Sequence, residues 1–94
     1  MNDPAFTARE PLTVGGTAVA LTAATYGNSR HAVITVETAP IRFTVDGSTP
    51  TAAQGHIANP GDILTLANQD QVRKFQAIRL TGTSATLMVS YGVK

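Results

Sequence analysis

Between Leu12 and Tyr91 the apolar residues fall into short runs that alternate with polar ones, two residues to the period, and no stretch sustains a helical period. Alternation of this kind turns one face of a segment toward a core and the other toward solvent, the signature of half-buried β-strands. Three such runs occupy the middle of the chain. They are His31 to Glu37 with Ile34 and Val36 inward, Ile41 to Asp46 with Ile41, Phe43 and Val45 inward, and Asp62 to Leu66 with Leu64 and Leu66 inward. Gly, Pro and Asn punctuate the intervals, and Gln69 to Lys74 has room for one helical turn at most.

Two further pairs of runs surround glycine-containing turns. Gly15-Gly16 lies between Leu12-Thr13-Val14 and Thr17 to Leu21, the pattern of a two-residue hairpin. In that register Val14 pairs with Thr17 and Leu12 with Val19, which puts Leu12, Val14, Val19 and Leu21 on one face. A second hairpin around Gly82-Thr83 pairs Leu80 with Ala85, Ile78 with Leu87 and Gln76 with Val89. Its other face carries Phe75, Ala77, Arg79, Thr86, Met88 and Ser90, of which Phe75, Ala77 and Met88 form an apolar patch expected to meet another subunit. Seven strands in all predict an antiparallel β-sandwich, jelly-roll-like or immunoglobulin-like, over residues 11–94, behind a flexible arm at 1–10.

A chain of 94 residues supports one core. It contains no cysteine, which excludes disulfides, thiol nucleophiles and Cys-based metal centres. The net charge is +1 with the basic residues scattered, so no nucleic-acid partner is expected. Charged residues make up 14% of the chain against about 25% in an average domain, a composition suited to a surface packed against copies of itself or another protein. Met1 to Pro11 holds Asp3, Arg9 and Glu10 and no apolar run, so neither a signal peptide nor a membrane anchor is expected there.

The residues able to do chemistry are His31, His56, Asp46, Asp62, Asp70, Glu37, Ser48, Tyr26 and Tyr91. One arrangement to test is a triad of Ser48, His56 and Asp46 or Asp62, because triads are defined by geometry and not by order. Ser48 lacks the strand–turn–helix context of a nucleophile, however. Asp46-Gly47-Ser48 reads better as a turn in which the carboxylate accepts backbone N–H groups two residues on. His56 in its loop reads as a hydrogen-bonding histidine. His31 and His56 have no metal-ligand spacing, and no metal or cofactor is expected. The five aromatic rings are too dispersed for a stacking platform.

Ala39-Pro40-Ile41-Arg42-Phe43-Thr44-Val45-Asp46-Gly47-Ser48-Thr49-Pro50-Thr51, continued by Gly55-His56 and Gly61-Asp62, resembles a run in small virion-associated proteins of tailed bacteriophages and prophages. Phe75 to Arg79 and Ala85 to Tyr91 are similar too, so the resemblance covers about Val33 to Tyr91, most specifically in D-G-x-x-P-T with G-H shortly after. It implies a small β-sandwich made in the host cytoplasm and built into a phage particle, and the absence of a credible catalytic constellation makes an enzyme unexpected. A head decoration protein bound to the major capsid protein comes first, and a tail or neck accessory is the alternative. Low charge and the apolar patch add self-association, and in a decoration layer symmetry favours a closed trimer at local threefold positions or single copies on each capsid subunit, the trimer preferred. A lectin-like carbohydrate-binding module is the other class, with Tyr26 beside Arg30 and His31 as its aromatic. Within the motif, Asp46, Gly47, Pro50, Gly55 and His56 are expected to give the long loop from Gly47 to Gly61 a fixed shape, pinned by Ile57.

Overall fold

The computed structural model describes residues 6–27 and 29–92 and contains two four-stranded antiparallel sheets packed face to face. The strands are β1 (Phe6–Val14), β2 (Val19–Ala20), β3 (His31–Glu37), β4 (Ile41–Thr44), β5 (His56–Ala58), β6 (Ile63–Leu66), β7 (Gln76–Arg79) and β8 (Ala85–Gly92). One sheet runs β1-β8-β3-β6 and the other β2-β7-β4-β5. The pairs β1·β8, β2·β7, β3·β6 and β4·β5 nest inside one another, as though one long hairpin had been wrapped around a core. This is the strand order of a jelly roll, one of the two sandwich types the alternation predicts.

Every connection except β4 to β5 passes from one sheet to the other. Both expected hairpins are therefore arches. β1 pairs with β8 while β2 pairs with β7, and Gly15 and Gly16 link the two sheets without a positive φ. The Gly82-Thr83 turn likewise joins β7 to β8 across the core. An arch does not transmit side-chain parity from one strand to the next, and this reverses the expectation for β7: Phe75 and Ala77 are fully buried, while Gln76 and Ile78 lie outward and half-buried. Phe75 and Ala77 are core residues and not interface residues. Met88 keeps its expected outward position on β8, half-buried.

The other inward residues agree with the alternation. Val14, Ile34, Val36, Leu66, Leu87 and Val89 from one sheet meet Leu21, Ile41 and Ala58 from the other, with Leu12, Val19, Phe43, Val45 and Leu64 packed around them. Pairing with β8 carries β1 back to Phe6, so residues 6–10, expected in a flexible arm, belong to the sheet, and the rest of that arm lies outside the described residues. Glu10 consequently points inward, 8% exposed, and accepts a hydrogen bond from the Thr22 N–H at 3.3 Å.

Two short helices close the sandwich. α1 (Ala23–Tyr26), a helix that no helical period in the sequence announces, sets Tyr26 against Tyr91, ring centroids 6.1 Å apart. α2 (Gln69–Lys74) begins at Asn68, whose side chain accepts from the Gln71 N–H at 2.9 Å, while the Gln71 side chain accepts from the Ala67 N–H at 2.7 Å. Val72 plugs α2 into the core. Among the described residues no helix is long and apolar enough to cross a membrane.

Candidate functional site

The most elaborated surface is the segment between β4 and the end of β5. Asp46 leaves the strand as expected: its Oδ1 accepts from the Ser48 N–H at 3.0 Å and from the Ser48 hydroxyl at 2.6 Å. Gly47 takes φ 89°, in the region that favours glycine. The Thr44 hydroxyl donates to the Ser48 carbonyl at 2.6 Å, and Thr51 folds a tight turn by accepting from the N–H groups of Ala53 and Gln54 at 3.2 and 3.0 Å. Pro50 is among the fully buried side chains and roots the loop.

The main brace comes from β4. Arg42 donates from Nε to the Ala52 carbonyl and from Nη1 to the Gly55 carbonyl, both at 2.8 Å. Gly55 itself takes φ 133° and lies so close to β4 that a Cβ there would sit 3.2 Å from the Phe43 carbonyl oxygen and 3.2 Å from Arg42 Cβ. After Gly55 the chain re-enters the sheet as β5, a strand the sequence reading placed inside a loop. Ile57 does not pin the loop. It faces out, 50% exposed, and Ala58 is the buried residue of the strand.

These elements enclose an open groove of about 540 Å³ lined by Thr44, Asp46, Ser48, Pro50, Gln54 and His56, among others. The His56 ring makes no hydrogen bond among the described residues. It packs on Phe43 at 5.4 Å, and Phe43 stacks on Phe75 at 5.8 Å, so a line of three rings runs from the groove into the core. His56 also borders a second groove of about 370 Å³, between β5 and β6, lined by Phe43, Val45, Ile63, Leu64 and Leu66.

Three members of the candidate triad thus share one groove, while Asp62 holds the turn before β6 by accepting from the Asn59 N–H at 2.8 Å. The hydrogen bonding follows the turn and not the triad. Ser48 gives its hydroxyl proton to Asp46, and no hydrogen bond joins Ser48 to His56. The Asp46 carboxyl is held below the usual carboxylate range, first by the Ser48 hydroxyl, then by the Ser48 N–H, with a smaller contribution from His56. His31 is buried at the start of β3, in the opposite sheet from His56. No group of three or more His, Cys, Asp or Glu side chains able to hold a metal ion occurs among the described residues.

In the β1-β8-β3-β6 sheet, the Tyr91 hydroxyl is buried beside the Glu10 carboxylate without a hydrogen bond of good geometry. Burial, then Glu10, pushes its pKa above the usual phenol range. Tyr91 is fully covered and Tyr26 leans against it, so these rings do not form an open stacking platform.

Sequence reasoning found the Asp46 turn and the special backbone at Gly47 and Gly55. It missed Arg42, whose partners are backbone carbonyls 10 and 13 residues away and leave no mark on side-chain pattern. No protein-family model matches the chain, and no match is found among curated proteins or solved structures.

Proposed function

We propose that the chain is a non-catalytic structural module of a tailed-phage particle, a decoration protein that docks in many copies on the assembled capsid through the loop 46–56 and the adjoining β5 edge. The observation that carries the docking mode is the bracing of that loop by Arg42, Asp46 and the buried Pro50. A surface element already held in one shape loses little entropy when it binds. Ile57, exposed beside it, supplies an apolar contact, and the weak surface charge raises little repulsion between crowded copies. The virion setting rests on the resemblance from Val33 to Tyr91. The jelly roll is compatible with it but does not select it, because the same architecture builds capsid domains and lectins.

Co-sedimentation with undecorated capsids tests the reading. Wild-type protein should pellet with capsids to a saturating stoichiometry, and Ile57→Asp should bind at least about tenfold more weakly, the loss expected from charging a desolvated apolar contact. Failure of the wild type to pellet would refute capsid docking. Retention on tails or on glycans instead would favour the tail-accessory or lectin-like alternative. Pelleting unaffected by Ile57→Asp would refute the assigned surface.

A further inference from the structure

The outer face of the β1-β8-β3-β6 sheet carries a second surface, away from the braced loop. Its register gives three rows across the strands: Arg9–Ser90–Val33–Thr65, Pro11–Met88–Thr35–Ile63, and Thr13–Thr86–Glu37. The middle row is apolar at Pro11, Met88 and Ile63, and Ile63 is 67% exposed. The two charges on these rows, Arg9 and Glu37, are both exposed and unpaired among the described residues. They are placed symmetrically about Met88. Arg9 is one strand and one row to one side of it, and Glu37 one strand and one row to the other.

We infer that this face pairs with the same face of a second copy about a two-fold axis passing over Met88. In an isologous contact each residue meets its counterpart across the axis. An axis lying between the sheets, perpendicular to the line from Arg9 to Glu37, sets Arg9 of each copy over Glu37 of the other and Met88 over Met88. On a grid of about 4.8 Å between strands and about 3.4 Å per residue, the same operation brings Ile63 of one copy within about 3 Å in projection of Val33 of the other. One axis therefore satisfies the charges and the apolar residues together, which an axis along the strands would not do. It crosses the strands of the two copies at about 70°, nearer the orthogonal class of sheet packing than the aligned one.

The footprint is modest, about 360 Å² per copy from the same spacings, against about 800 Å² in a standard interface. The pair is accordingly weak and concentration-dependent, and it closes at two copies, not at the three that decoration-layer symmetry favours. It leaves the braced loop on the other sheet free, so it stands or falls independently of capsid docking.

Sedimentation equilibrium of the full chain from about 10 μM to about 1 mM tests the pairing, with circular dichroism confirming that each variant is folded. The wild type should form dimers that weaken as salt rises. Arg9→Glu or Glu37→Arg alone creates two like-charge contacts and should weaken pairing by about tenfold or more. An equimolar mixture of those two variants should regain wild-type affinity, because both charge contacts in the mixed pair then join opposite signs. Met88→Lys, on the axis, should abolish pairing and serves if either charge variant does not fold. A protein monomeric at about 1 mM, a trimer, or self-association that none of these reversals alters would overturn the inference.

Discussion

Replacing Arg42 by Met keeps most of the aliphatic stem on the sheet and removes the two hydrogen bonds that hold the Ala52 and Gly55 carbonyls at 2.8 Å. Hydrogen bonds from a charged donor contribute about 1.5–3 kcal/mol each when buried. Arg42 is half-buried and the loop carbonyls can be rehydrated, so about 1 kcal/mol each is the appropriate value. The loss of about 2 kcal/mol falls on the loop, because the core beneath β4 is formed by Ile41 and Phe43 and not by Arg42. Native-state hydrogen exchange should show it as a roughly thirtyfold loss of protection at the Thr51 and Gln54 amides, which bond each other's carbonyls across the tight turn. The amides of β3 and β8 should change by less than about threefold. Unchanged protection at Thr51 and Gln54 would refute Arg42 as the brace, and uniform loss across both sheets would show that it supports the whole fold.

Phe75→Ala should destabilise the monomer by about 3–5 kcal/mol in urea titration, since the ring is fully buried against Phe43, whereas a small effect would return Phe75 to the surface. Gly55→Ala should cost about 2 kcal/mol because its φ is strained and its Cβ would crowd the Phe43 carbonyl oxygen; Gly61→Ala, at φ 93° with open space around it, should cost about 1 kcal/mol, and equal melting temperatures for the two would contradict this. Tyr91 has a folded pKa raised above its unfolded value, so its contribution is complete below about pH 10 and is lost as pH rises beyond that. Thermal melts at increasing alkalinity should show this loss, and Tyr91→Phe should flatten the decline; an identical decline in both proteins would remove Tyr91 as its cause.

The alternation of β3, β4, β6 and β8 was legible because each strand has one covered face, and burial alone then fixes which residues are apolar. The links between strands were not. A glycine pair between two alternating runs fits a hairpin and an arch equally well, and only the partners chosen by β1 and β7 decide between them. β5 escaped notice because two of its three residues, His56 and Ile57, are exposed and show no alternation. Within the site, the Asp46 turn was legible because its donor lies two residues on. The convergence of Asp46, Ser48 and His56 depends on β5 rejoining β4, which pairing alone reveals. Glu10, beside Pro11, gave no sign that it would point inward.

The nested pairing has a consequence for how the chain comes off the ribosome. β8 lies between β1 and β3 at the centre of its sheet, yet among the eight strands it is translated last. Until it emerges, β1 has no strand beside it and cannot join β3, so the apolar faces of the two strands are not yet assembled into one sheet. Only β4 and β5 can pair as neighbours in the sequence, so little of the structure forms early and folding should be slow for a chain of this size. During that interval the nascent chain exposes the surfaces that chaperones bind, and a stop codon before Ala85 would leave a product unable to close its first sheet.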